Sequence, residues 1–576
     1  MSIDTLRRLF RITSTLLVSL AILAAFCGSL MAGPQGSLTA QAEAELYAQD
    51  GLPEDRLGSV VAMSGNTAVL GAPLDDTPKG VDSGSAYVFE HIGSTWKEEA
   101  RLLAPDGAQS DFFGSVAIDG DTIVVGAFHA DTTGGTDAGA AYVFVRTAGV
   151  WEEQQKLMAS DGNQDDLFGK FVAIAGDTIA VGAPLDDHAP GLPGGPAGQG
   201  SVYVFVRSGS SWSEQAKVTA SPALAGDQFG PADLDGDLLI VGAPVNDAMG
   251  TEAGTAFMFT RSGSQWTQEA QLFPQDAGAH HYFGGSVSLS DNRALIGALG
   301  NDHAGTDSGA AYIFVDNGTW VEEERLVAPN PKPGDLFGYF VILDGIWAIV
   351  GVPQDDHSGK AGVGSAFLFV RNGANWSETV MFKNAIPRKG DFFGGSVSID
   401  GATVLVGASG DEPEGVPTST NQGAGHVFHL VLPPPMAYCT AGTSANGCQA
   451  SVSGNGVPSG GTASGFWLDS SGVEGGKNGL YFFGANGRQA NPWGNGTSYQ
   501  CVVPPVKRAG LLSGTGTIGQ CDGTFSQDLN ALWSTTPAKN PGAGAVVQAQ
   551  LWYRDPLNTS NQTTSLSDAI EFAVGP

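Results

Sequence analysis

Between Ser110 and Ala127 the chain reads SDFFGSVAIDGDTIVVGA. Val116 and Ile118 alternate with smaller residues, Asp119-Gly120 interrupts the pattern, and Ile123 to Val125 is unbroken apolar. Asp-Gly between two apolar runs predicts a β-hairpin whose turn residues both tolerate positive φ. Beyond it, AAYVFVR (residues 140–146) predicts a third strand and WEEQQKL (151–157) a fourth, the polar one. That gradient suits a sheet whose first strands are covered on both faces and whose last is charged against edge-to-edge pairing.

The unit recurs. Its opening glycine falls at Gly58, Gly114, Gly169, Gly230, Gly284, Gly338 and Gly394, in steps of 54 to 61 residues. Its second-strand glycine falls at Gly71, Gly126, Gly182, Gly242, Gly297, Gly351 and Gly407. Seven copies at a near-constant period predict radial blades, so the expected fold is all-β: a seven-bladed β-propeller followed by a small β-rich C-terminal domain. A Gly-to-Trp turn precedes the fourth strand at Trp96, Trp151, Trp212, Trp266, Trp320 and Trp376, one fewer than the hairpins. The segment from Glu43 to Gly51 is placed before its hairpin as Glu99 to Gly107 is before the next. The N-terminal strand is therefore expected to complete the last blade and close the ring.

Charge and cysteines divide the chain further. Of 59 acids, 7 lie from Ala437 onward and 1 before Glu43, leaving 51 in the repeats against 18 bases. That excess argues against nucleic acid, which needs a basic footprint. Residues 1–42 read as an export signal: Arg7, Arg8 and Arg11, an apolar run from Ile12 to Phe26, and Ala40-Gln41-Ala42 as a small-residue cleavage pattern. An uncleaved membrane anchor is the alternative, since Ile12 to Ala32 is long enough to span a bilayer. Residues 43–432 hold the repeats, Pro433 to Pro435 form a stiff linker, and 436–576 form the second domain. Cys439, Cys448, Cys501 and Cys521 all lie in that domain and predict two disulfides, with Cys439–Cys448 and Cys501–Cys521 preferred for their shorter loops. All nine histidines lie elsewhere, which disfavours zinc. Trp467, Trp493, Trp533 and Trp552 of this domain read as aromatic core, with sugar stacking as the alternative.

Phe168-Gly169 followed by Gly182-Ala183-Pro184, and Phe229-Gly230 followed by Gly242-Ala243-Pro244, carry a resemblance. The repeats are similar to the FG-GAP repeats of integrin α-subunit propellers, across roughly residues 43–432. That resemblance implies a propeller used for binding and adhesion. Where integrin-type repeats place a DxDxDG-like calcium loop, this chain has only tight turns such as Asp119-Gly120-Asp121 and Asp344-Gly345. Calcium needs six to eight converging oxygens. The chain therefore resembles the bacterial, calcium-loop-free subclass, and no metal site or cofactor is carried over.

A second acidic set follows the second strand of each unit. It comprises Asp75, Asp76, Asp131, Asp186, Asp187, Asp247, Asp302, Asp355 and Asp356. Asp and Asn cap turns at such positions, and they equally form a ligand surface. The connections from strand two to three and from strand four to the next blade share one face and are long and varied; the hairpins on the other face are short and uniform. There is no nucleophile elbow, HExxH, P-loop or dinucleotide fingerprint. The expected function is thus a secreted, periplasmic or cell-surface binding module that engages protein or carbohydrate through its acidic loop face. Membrane contact is expected only through an uncleaved N-terminal segment. A polysaccharide-degrading enzyme with an axial site and a structural envelope protein are the alternatives.

Overall fold

The computed structural model describes residues 38–187, 198–372, 375–413 and 420–431, and, between 436 and 573, the elements named below with the residues beside them. The repeats form seven four-stranded antiparallel sheets. Blade two shows the plan: Phe113–Asp119, Thr122–Ala127, Ala140–Thr147 and Val150–Leu157, hydrogen-bonded in chain order. Each blade's first strand touches the first strands of both neighbours all the way round, so these strands line a common axis. Second strands such as Thr122–Ala127 are buried along their whole length, whereas fourth strands alternate exposed and covered positions. The architecture is a seven-bladed β-propeller.

The glycines set how closely blades stack. A Cβ on Gly126 would lie 1.8 Å from the carbonyl oxygen of Gly169, and one on Gly407 would lie 2.2 Å from that of Gly58. The second-strand glycine of one blade therefore faces the opening glycine of the next, including across the junction of blades seven and one. The phenylalanine before the opening glycine is fully buried. Phe113 packs edge-on against Tyr142 and Phe144 of its own blade, at 5.6 and 6.1 Å between ring centres. The same cluster takes in Val69, Ala86 and Val88 of blade one, so the apolar cores lie between blades.

The fourth strand of the seventh sheet is Thr39–Leu46, paired antiparallel with Ala424–Val431 from Thr39↔Val431 to Leu46↔Gly425. It begins before Glu43: Ala40 to Ala42, read above as the end of a leader, lie inside the sheet. The hairpin turns also differ from expectation. Gly120 takes positive φ (55°) while Asp121 does not, so one permissive residue suffices; in blade five Asp291 fills that place at 55°.

In the C-terminal part, Met436–Tyr438, Thr564–Ala573, Val546–Arg554, Asn478–Gly484 and Lys507–Arg508 form one sheet, joined at its edge by Leu512–Ser513. Ser451–Asn455, Trp467–Val473 and Gly523–Asp528 form a second sheet, and Arg488–Trp493 pairs with Ser498–Val502. The helix Leu529–Thr535 was not expected from the sequence. Asp528 caps it, accepting the Ala531 N–H at 3.0 Å. It buries Leu529 and Trp533 beside Phe466, Leu468 and Tyr481. Trp533 is thus core and Trp467 is exposed. The side chains of Trp493 and Trp552, and both cysteine pairings proposed above, fall outside the described residues.

Candidate functional site

The acids that follow the second strands divide by depth. Asp75, Asp186 and Asp355 are buried. In blade three the Tyr203 hydroxyl donates to Asp161 (2.7 Å) and Asp186 (2.9 Å), and Lys217 Nζ sits 2.8 and 2.6 Å from the same two carboxylates. In blade one Tyr87 and Arg101 bridge Asp50 and Asp75 in the same way, with Arg101 at 2.6 and 2.5 Å. Asp161 lies in the connection that follows the fourth strand of blade two, whereas the other three groups belong to blade three. The motif is therefore a latch between successive blades, in which one cation and one hydroxyl offset two carboxylates. Blades two and five keep the tyrosine and cation on Asp106 and Asp276. Asp355 instead accepts from Ser365 (2.9 Å) and lies 3.5 Å from Lys332. These three acids, assigned to the ligand face from sequence, are turned inward and committed to the fold.

The remaining six assigned acids, Asp76, Asp131, Asp187, Asp247, Asp302 and Asp356, are exposed. Each accepts a backbone N–H from further along its own loop through Oδ1: Asp82, Asp137, Gly198, Glu252, Asp307 and Gly362, at 2.6 to 3.1 Å. These carboxylates hold the loops in shape and at the same time present charge on the loop face.

On the opposite face the turn acids have a role that sequence reasoning missed. Asp400 accepts the Gly65 N–H (2.5 Å), Ser64 that of Gly120 (3.1 Å), Asp119 that of Gly176 (2.6 Å), Asp235 that of Asp291 (2.7 Å) and Ser290 that of Gly345 (2.8 Å). At these five junctions the residue ending the first strand caps the next blade's turn; blade three's first strand ends in Ala175, which has no side-chain acceptor to offer. The acid-rich stretch Asp233 to Asp237 is dispersed likewise. Asp233 accepts from Ser288 and Leu289, Asp235 from Asp291, and Asp237 pairs with Arg261. Its three carboxylates point to three different partners. The signal for this role lay in the shared period, which puts a Ser or Asp acceptor one repeat before each of these turns.

Behind the loops lies a second set of buried acids, just before the Phe-Gly pair. Asp55, Asp111, Asp166, Asp227, Asp335 and Asp391 each accept the backbone N–H three residues earlier. Burial pushes all six carboxyls up, Asp166 to about 6 and Asp55 and Asp391 to about 7. In blade seven Asp391, Asp411 and Glu412 come within 4.8 Å of one another. Arg388 lies 3.7 Å from Asp411 and 3.4 Å from Glu412, and His426 lies 2.9 Å from Asp411.

At the axis, a cavity of about 380 Å3 is lined from all seven blades. Its rim is the residue after each opening glycine: Ser59, Ser115, Lys170, Pro231, Gly285, Tyr339 and Gly395. Lys170 is the one charged residue of that lining, so the lining offers no carboxylate pair for glycoside hydrolysis.

The family model for the FG-GAP repeat matches residues 41–89, 96–144, 151–205, 212–259, 266–314, 320–369 and 387–428. The chain belongs to the FG-GAP repeat family. Each FG-GAP match up to the sixth runs from the fourth strand of one blade through the third strand of the next, so sequence repeat and blade are out of phase by one strand. That offset is what leaves the first FG-GAP repeat to supply the last blade's outer strand. No curated protein matches the chain. Among solved structures, the crystal structure of the N-terminal domain of Nup159 is similar at 10% identity and a TM-score of 0.39, covering 69% of this chain and 97% of that one. So distant a likeness adds nothing to the assignment. The FG-GAP repeats and the propeller make this chain an integrin-like binding module in general terms.

Proposed function

We propose that this FG-GAP protein is a secreted or cell-surface adhesion module that engages a protein or carbohydrate partner through the loop face of its propeller. The observation that supports this reading is the set of six exposed carboxylates at matching positions of blades one to six, all on the face where the connections differ in length. Binding residues favour loops held on rigid scaffolds. A surface of that sign suits a basic or cation-bridged partner, and binding weakens with salt.

The test must spare the latches. Asp76, Asp187, Asp302 and Asp356 are changed together to Asn, which keeps the side-chain acceptor for the loop N–H and removes the charge. A screen of matrix proteins and glycans supplies the partner. We expect the quadruple variant to lose binding with an unchanged melting temperature. Retained binding, with loss instead on altering the Asp119-Gly120 and Asp344-Gly345 turns, places the contact on the opposite face.

A further inference from the structure

The seven rim positions of the axial cavity are equivalent by construction, since each follows an opening glycine and lies within two residues of the start of a first strand. Glycine serves there in blades five and seven and proline in blade four, so the scaffold requires no side chain at this place. Lys170 and Tyr339 are the two rim residues that exceed what the fold needs.

Lys170 is half-buried, and burial pushes its ammonium down from the ordinary lysine value. Among the described residues no carboxylate lies within ion-pair distance of it, and its Nζ stands over the Phe171 ring, 5.9 Å from the ring centre. An unpaired, partly desolvated cation is unfavourable unless something supplies the counter-charge. Tyr339 stands beside the same mouth at 45% exposure. We propose that the axial mouth is a binding site, separate from the acidic loops, for a monoanionic carboxylate carried on an apolar body about one ring in size. Lys170 is its counter-ion.

The rest of the cavity narrows the ligand. Its walls include Val60, Val116, Phe171 and Phe340. Its serine hydroxyls are already engaged: Ser59 donates to the Arg56 carbonyl (2.7 Å), Ser115 to that of Lys170 (3.0 Å), and Ser286 accepts from the Val341 N–H (3.0 Å). A sugar acid would bring more hydroxyls to this lining than the remaining valences of three serines can partner, at a cost for each one left unpaired. A phosphate or a polyanion would meet a single cation within a strongly acidic propeller. One carboxylate on an apolar ring satisfies both the charge and the wall, and the volume lies within the range of small-molecule sites.

The experiment is calorimetric titration of the full chain with 3-phenylpropionate, its neutral amide and galacturonate. We expect saturable binding of 3-phenylpropionate with a Kd of about 1 mM or tighter. We expect the amide and galacturonate to bind at least about tenfold more weakly. Lys170→Met should abolish the preference for acid over amide while its melting temperature stays level or rises, because a partly buried charge has been removed. Tyr339→Ala should weaken 3-phenylpropionate and leave the acid–amide preference in place. Equal binding of acid and amide, undiminished binding by Lys170→Met, tighter binding of galacturonate, or no saturation by about 10 mM each overturns the proposal.

Discussion

Blades three and four share a backbone plan and solve the same junction with different chemistry. Blade three carries the full latch of Asp161, Asp186, Tyr203 and Lys217. At the corresponding places blade four has Pro222, Asn246, Phe257 and Gln271. Phe257 is fully buried and Asn246 nearly so. Both blades nonetheless pair four strands in the same order. The difference shows that the latch is one way of filling the space beneath the loop face and not a requirement of the fold. A buried ion pair roughly breaks even against apolar packing, but a half-removed one does not. What both blades keep is the glycine contact, since Gly182 faces Gly230 and Gly242 faces Gly284.

The largest effect is expected from breaking the latch on one side only. Asp186→Ala leaves Lys217 and Tyr203 short of a partner and should cost about 3–5 kcal/mol by denaturant unfolding. Converting blade three toward blade four, with Asp186→Asn, Tyr203→Phe and Lys217→Gln together, should cost clearly less than that single change. A triple variant as unstable as the single one would break the comparison and make the latch indispensable.

Next come the glycines. Gly182→Ala and Gly242→Ala press a methyl group against backbone 2.4 and 1.9 Å away. Each should cost about 1–3 kcal/mol or somewhat more, in the latched and unlatched blade alike. A loss confined to blade three would show that the latch, not the glycine contact, sets the blade spacing.

The smallest effect is the pH response. Asp166, beside Asp186, is pushed up to about 6 by burial first and by that neighbour's charge after it. Asp227 in blade four is also raised by burial, but it accepts a hydrogen bond from Asn246, which opposes the rise. A carboxyl whose folded pKa is raised takes up its proton more readily in the fold. Its stabilising contribution is full below the unfolded value of 3.8 and is lost as pH rises through about 6. Asp55 and Asp391 act in the same sense up to about 7. The melting temperature should therefore rise as pH falls from about 8 to about 5. It should drop again below about 4, where Asp106 and Asp276, held low by their tyrosine and cation partners despite burial, lose those contacts. Asp166→Asn should flatten part of the rise, whereas a response unchanged in that variant would assign it to other groups.

The sequence alone determined the blade count, the strand order within a blade and the family. Each rests on local pattern: Phe-Gly, the Asp-Gly turn, the second glycine and the alternation around them recur often enough to outweigh any degenerate copy. It also marked the acids that crowd behind each second strand, but it could not sort them. Asp75 and Asp76 are neighbours in the chain, yet one is buried against Arg101 and Tyr87 and the other is exposed and closes its own loop. That choice depends on partners 12 and 26 residues away in the same blade and on Asp50, which comes from another. The turn acids likewise find their donors a full repeat away, as Asp119 does with Gly176. The axial rim shows the same limit. Lys170 and Tyr339 are 169 residues apart in sequence and meet at one mouth only because the ring closes. Side-chain roles here are set by contacts between blades, which the period implies in number and only the closed ring assigns to particular residues.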